Sequence, residues 1–105
     1  MIVYFDELSV LSDKYDKVYD LNNKAAGECL KNGDDNGFTN YMNNIISSEN
    51  DFYDQLESLD TPPEAQDLHR INLERLQDFI NYLPYQIKFL TSGHLPLRGK
   101  LKSKA

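Results

Sequence analysis

The stretch that decides the fold runs from Thr61 to Leu90 and reads TPPEAQDLHRINLERLQDFINYLPYQIKFL. Its first residues are typical of a helix start, because the Thr61 hydroxyl can accept from the Glu64 amide while the Glu64 side chain reaches back to the Thr61 amide. Pro62 falls at the first helical position, where its missing N–H costs nothing. A seam with alternating spacings of four and three residues follows: His69, Leu73, Leu76, Ile80, Leu83, Ile87 and Leu90. It predicts one helix with an apolar stripe that the remaining chain must cover.

The first segment predicts a second long helix, over residues 3–32, because no proline interrupts it. Asn22 is the polar residue of its seam, and it either lies at the edge of a bundle or fixes the register of the helices. Cys29 on the same stripe is expected to be a small buried residue. The seam consists of Tyr4, Leu8, Leu11, Tyr15, Val18, Asn22, Ala25 and Cys29.

A polar turn, residues 32–37, separates this helix from the next one. Gly33 suits the left-handed position that ends a helix, and Asp35 or Asn36 can cap the helix that follows. The third predicted helix covers residues 38–59, with Glu49 as its polar break. Its seam consists of Phe38, Met42, Ile45, Glu49, Phe52, Leu56 and Leu59.

These three seams and two short connections predict an all-α, antiparallel up-down-up bundle of three helices, about 3–32, 38–59 and 62–92. Pro84 removes one backbone hydrogen bond, so we expect a kink there, within a helix that ends at Gly93. Residues 1–93 are expected to form one domain, and residues 94–105 an extended basic tail.

The chain has 105 residues, a net charge of −6 and a single cysteine, so an internal disulfide framework is excluded. No apolar run reaches the 18 residues that a membrane span needs, and no basic and apolar leader opens the sequence. We therefore expect a cytoplasmic protein, or an extracytoplasmic one if a leader has been removed. The acidic charge lies in the body, which argues against nucleic acid as a partner except through the tail.

The turn Asn32-x-Asp34-x-Asn36-Gly37 partly matches a calcium-binding loop. However, Asn43 stands where such a loop carries its bidentate Glu, so we expect an ordinary turn and no bound metal. His69 has no Glu or Asp partner at helical spacing, and we expect it to be half-buried and bonded locally.

No arrangement for catalysis is recognisable in the sequence. It has no nucleophile elbow, no Cys/His pair and no glycine-rich phosphate loop. The acidic rows on the first two helices are typical of a solvated outer face. We therefore predict a protein that is not an enzyme, without catalytic residues or cofactors.

The segment Leu56-x-x-Leu59-x-x-Pro62-Pro63-x5-His69, followed by an amphipathic helix, resembles a segment of small helical-bundle proteins from Gram-positive bacteria. The likeness covers residues 56–83. It implies a bacterial helical protein, in some cases an extracytoplasmic one tethered to the membrane, and it carries over no catalytic or ligand residue.

The leading functional hypothesis is a module that binds another protein, such as a small regulator or accessory factor, through an exposed helical face. Its partner would have a basic surface, or it would be a second copy in a homodimer. One alternative is a sensor that binds a metal at the turn or a small ligand between Tyr15, Tyr41 and Tyr82. Another is weak attachment to nucleic acid or a membrane through the tail. The candidate residues are Leu68, Ile71 and Phe79 for the partner, and Arg98, Lys100, Lys102 and Lys104 for the tail.

Overall fold

The computed structural model describes residues 2–93, which form three long helices. They are α1 (Ile2–Lys31), α2 (Asp35–Glu57) and α3 (Gln66–Lys88), with a 3-10 turn at Pro63–Ala65 and a π-helical turn at Phe89–Gly93. The predicted all-α class is confirmed, and residues 2–93 contain no strand. None of their helices is long and apolar enough to cross a membrane.

The start of α3 differs from the prediction. Thr61 does not cap the helix; its hydroxyl donates instead to the carbonyl of Leu59, at 3.1 Å. Pro62 is extended, with φ −65° and ψ 153°, because a residue that precedes a proline avoids the helical region. The chain therefore makes the 3-10 turn first, and the α-helix begins at Gln66 rather than at Pro62.

The turn between α1 and α2 is built on Gly33, whose φ of 76° confirms the predicted left-handed position. The cap of α2 is Asp34, not the predicted Asp35 or Asn36. Its side chain accepts from the Gly37 amide at 2.9 Å. Because the chain reverses direction at Gly33, the next residue, Asp34, is the N-cap, and α2 begins at Asp35, three residues earlier than predicted.

Helix α2 contributes more buried residues than either other helix, five of the eleven in the described chain, and contacts both of them. Its buried side chains all belong to the predicted seam: Phe38, Met42, Ile45, Glu49 and Leu56. A core cluster joins the helices around residues that are at most 6% exposed: Ala26, Phe38, Met42, Ile45 and Leu83.

The buried face of α1 differs in period from the predicted seam. Tyr4, Tyr15 and Ala26 are its buried residues, whereas Val18 is 37% exposed. Their spacing is 11 residues, or three turns of about 3.67 residues, whereas the other residues of the predicted seam, Val18 apart, are half-buried: Leu8, Leu11, Asn22, Ala25 and Cys29. A strict heptad drifts by about 20° per repeat around a straight helix, which moves burial from Ala25 to Ala26.

Pro84 does not divide α3, because the helix is continuous through it to Lys88. Proline has no N–H to donate to the carbonyl of Ile80, so the helix contains one hydrogen bond fewer there. The predicted end at Gly93 agrees with the last residue of the π-helical turn.

Candidate interaction surfaces

Helix α3 carries a second seam on the side away from the core. Six residues recur at spacings of three and four, and such positions share one helical face. We call this the outer face of α3; it consists of Leu68, Ile71, Arg75, Asp78, Tyr82 and Tyr85.

The three predicted partner residues differ in accessibility. Leu68 is 42% exposed, Ile71 is half-buried, and Phe79 is half-buried with its ring edge-on to Tyr19 at 5.9 Å between centroids. Phe79 also packs against the core cluster. Leu68 and Ile71 therefore lie on the outer face of α3, whereas Phe79 joins α3 to α1.

The predicted partner face, Leu68, Ile71 and Phe79, did not include the exposed aromatic residues of the outer face. Tyr82 is 57% exposed and Tyr85 is 72% exposed, and Phe89, which directly follows the helix, is 53% exposed. The 3-4 period that runs from Leu68 through these residues is the signal that could have identified them. Helix α1 likewise exposes Val3, Val10 and Leu21, each by about two thirds or more.

A groove of about 450 Å³ lies between α1 and α2. Its apolar residues are Val10, Leu11 and Leu59, and its polar residues are Asp6, Glu7, Lys14 and Gln55. We call it the α1–α2 groove. It combines exposed apolar surface with two adjacent carboxylates, which suits a ligand that is both apolar and basic.

A second cavity, of about 380 Å³, lies where the start of α1 meets the connection between α2 and α3. Val3, Tyr4 and Glu7 line it on one side, and residues 60–63 on the other. Next to it the Tyr4 hydroxyl and His69 Nδ1 are 3.0 Å apart in a hydrogen bond. The expectation that His69 bonds locally is therefore wrong, because its hydrogen-bond partner is 65 residues away. Burial of the Tyr4 side chain raises the pKa of its hydroxyl.

Tyr15 joins α1 to α2 through its hydroxyl and its ring. The hydroxyl donates to the Asp51 carboxylate, and the ring stacks on Phe52 with centroids 4.9 Å apart. The hydrogen bond to Asp51, helped by burial, raises the pKa of Tyr15 to about 12. Asp51 lies ten residues, or about 15 Å, along α2 from Tyr41, so Tyr15 and Tyr41 do not line one small pocket.

Glu49 is only 6% exposed although it carries a carboxylate. Burial, with a smaller contribution from the charge of Asp16, raises its pKa to about 7. A buried carboxyl group with a raised pKa is a candidate for function. Asp16 is the one charged neighbour that contributes to the raised pKa of Glu49, and these two carboxyl groups alone do not form a catalytic arrangement. Asn22, the polar residue of the α1 seam, is half-buried and accepts from Asn44 across the interface at 3.4 Å.

The turn that partly matches a calcium loop uses its Asp34 side chain to cap α2. Within residues 2–93, no group of three His, Cys, Asp or Glu side chains is placed to hold a metal ion. Cys29 beside this turn is half-buried, and burial together with Asp34 raises the pKa of its thiol.

The predicted tail residues Arg98, Lys100, Lys102 and Lys104 lie outside the described residues. No protein family matches the chain, and no curated protein or solved structure has significant similarity to it.

Proposed function

We propose that this chain is a non-enzymatic protein–protein interaction module, a small regulator or accessory factor, that binds its partner through the outer face of α3. The observation that carries the proposal is the exposure of Tyr82 and Tyr85, by 57% and 72%, on one face with Leu68. The few residues that dominate the energetics of protein interfaces are enriched in Trp, Tyr and Arg. The exposure of Tyr82 and Tyr85 in the unbound chain supports a surface that a partner covers.

The chemistry of this face indicates the kind of partner. Arg75 and Asp78 separate the apolar end at Leu68 from the aromatic end at Tyr82 and Tyr85. A partner would therefore place apolar side chains at both ends and a polar pair between them. The body of the chain is acidic, and this favours a partner with a basic surface around the contact.

The proposal includes an antiparallel up-down-up arrangement of the three helices. The pairs Tyr15–Asp51 and Asn22–Asn44 support opposite directions for α1 and α2, because the second number falls as the first rises. The contacts Tyr4–His69 and Tyr19–Phe79 support one direction for α1 and α3. In this arrangement Phe79 faces α1, and the outer face of α3 remains available to a partner.

The test is affinity capture from the native cells, with quantitative mass spectrometry of what is bound. Three forms are compared: wild type, Tyr82→Asp/Tyr85→Asp, and Leu21→Asp as the control. Leu21 is 73% exposed, which matches Tyr85 at 72%, but it lies on α1. Loss of a hot spot worth about 2 kcal/mol lowers affinity about 30-fold.

We expect specific proteins to be captured by wild type and by the control and lost from the double variant. Circular dichroism should give the same helix content for all three forms. If the same proteins bind the double variant as well as they bind wild type, the outer face of α3 is not the binding surface. Capture of no specific protein by any form would contradict the proposed function itself.

A further inference from the structure

We infer that the α1–α2 groove binds residues 94–105 of a second copy of this chain, which joins copies head to tail. We call residues 94–105 the basic segment. The inference concerns a different surface from the outer face of α3 and does not rest on the function proposed above.

The groove offers apolar surface that the fold leaves uncovered. Val10 is 71% exposed, and it lies with Leu11 and Leu59 in a groove of about 450 Å³. Apolar side chains that enter such a groove are removed from water, which favours binding. Among its lining residues, Asp6 and Glu7 add two negative charges against the one positive charge of Lys14, so the ligand that fits best carries both apolar and basic side chains.

Charge is distributed unequally along the molecule, and the groove lies in its acidic half. The half that contains the groove, residues 2–16 and 49–76, has 12 Asp and Glu against 3 Lys and Arg, a net charge of −9. The other half, residues 17–48 and 77–93, has 5 against 4, a net charge of −1. Positive ligands are therefore attracted to the groove half of the molecule.

The basic segment has the chemistry that this groove requires. It reads HLPLRGKLKSKA and contains three leucines, four Lys and Arg residues and no acid. Its net charge of +4 complements the −9 of the groove half. Elsewhere the sequence holds no window of 12 residues in which basic residues exceed acidic ones by four.

Chain geometry favours binding to a second copy over binding within one copy. Phe79 of α3 packs against Tyr19 of α1, so Leu90, eleven residues farther along, lies near the level of Leu30, and the groove at Val10 to Lys14 is about 27 Å away along α1, at 1.5 Å per residue. From Gly93, an extended chain reaches about 7 Å to Leu95 and about 14 Å to Leu97, at up to 3.6 Å per residue. Leu95 and Leu97 therefore cannot reach the groove of their own copy, and Leu101 could do so only with the intervening chain fully extended, at about 29 Å, whereas all three leucines of a neighbouring copy can enter it together.

A head-to-tail contact, in which each copy gives its basic segment to one neighbour and takes that of another, leaves one free groove and one free basic segment on each open assembly, so it continues beyond a dimer. Sedimentation velocity on the full chain at low salt should therefore give a weight-average sedimentation coefficient that keeps rising with concentration. Association that stops at a dimer would overturn the head-to-tail arrangement. Screening by salt should weaken the association, because part of the attraction is between charges.

Two variants with matched exposure locate the contact. Val10→Asp places a charge in the groove, and we expect association at least tenfold weaker than wild type. Leu21→Asp, at a position 73% exposed against 71% for Val10, should associate as wild type does. Both positions are on the surface of α1, so circular dichroism should report unchanged helix content.

A charge exchange supplies the decisive measurement. Asp6→Lys/Glu7→Lys and Lys100→Glu/Lys102→Glu should each lose association alone and should recover it when mixed in equal amounts. A wild-type chain that stays monomeric at all concentrations overturns the inference. So does association that survives both charge exchanges, or that is lost on Tyr82→Asp/Tyr85→Asp instead, because another surface would then hold the copies together.

Discussion

Replacing Glu49 with Gln should stabilise the fold at neutral and alkaline pH and have little effect in acid. Glu49 is buried on the core face of α2, where its pKa is raised from 4.5 to about 7 by burial first and by the charge of Asp16 second. The folded chain therefore holds the proton more tightly than the unfolded chain does. The contribution of protonated Glu49 to the free energy of unfolding is fully present below pH 4.5 and is lost as pH rises through 7.

The size of the effect follows from this shift. At about 1.4 kcal/mol per pKa unit, the rise to about 7 costs the fold at most about 3 kcal/mol above pH 7. Glutamine keeps the shape of the side chain and has no charge, but its amide must also be desolvated. We therefore expect Glu49→Gln to raise the free energy of unfolding by about 1–2 kcal/mol at pH 8, and by close to zero at pH 4.

Urea denaturation followed by circular dichroism, at intervals from pH 4 to pH 9, measures the difference between wild type and variant. The control is Glu57→Gln, the same substitution at an exposed position of the same helix, expected to change stability by less than about 0.5 kcal/mol at each pH. A difference between wild type and Glu49→Gln that does not vary with pH would refute the reasoning. Asp16→Asn should lower the pH at which the stability difference between chains with Glu49 and their Glu49→Gln variants levels off, because it removes the second cause of the raised pKa of Glu49.

Three further substitutions test other parts of the structure. Tyr15→Phe should cost about 1.5–3 kcal/mol at pH 7 by removing the hydrogen bond to the Asp51 carboxylate. Since the pKa of Tyr15 is about 12, wild type should lose this advantage as pH rises from 10 through 12, measured by urea denaturation extended to pH 12. Asp34→Ala should lower the free energy of unfolding by about 1 kcal/mol through loss of the α2 cap, and an unchanged urea midpoint would contradict that role. Ile45→Ala, at a side chain 1% exposed, should cost about 2–5 kcal/mol and lower the midpoint of thermal unfolding.

The three helices could be predicted because each stretch carries its own local signals. Apolar periodicity identified the core face of α2, from Phe38 to Leu56, without help from its neighbours. Gly33 identified the end of α1, since a left-handed residue at a helix end is a local requirement. The start of α3 was misplaced because the capping motif at Thr61 competes with two consecutive prolines, and the extended preference of Pro62 prevails.

The candidate surfaces were harder to predict. A second apolar seam on α3 is visible in the sequence, but the sequence does not say which of two seams faces the core. Phe79 illustrates this, because it was expected on the partner face and packs against Tyr19 of α1. The α1–α2 groove unites residues from positions 6–14 and 55–59, and no local pattern links them.

The sequence by itself therefore determined the all-α class, the approximate helix lengths and the acidic character of the body, because propensity, periodicity and charge are properties of neighbouring residues. The tertiary structure alone decided that the buried face of α1 follows an 11-residue period, that Tyr4 bonds to His69, and that Glu49 is shielded from water. These three features depend on how the helices pack against one another. The contact between Tyr4 and His69, 65 positions apart, follows from that packing and not from any spacing along the chain.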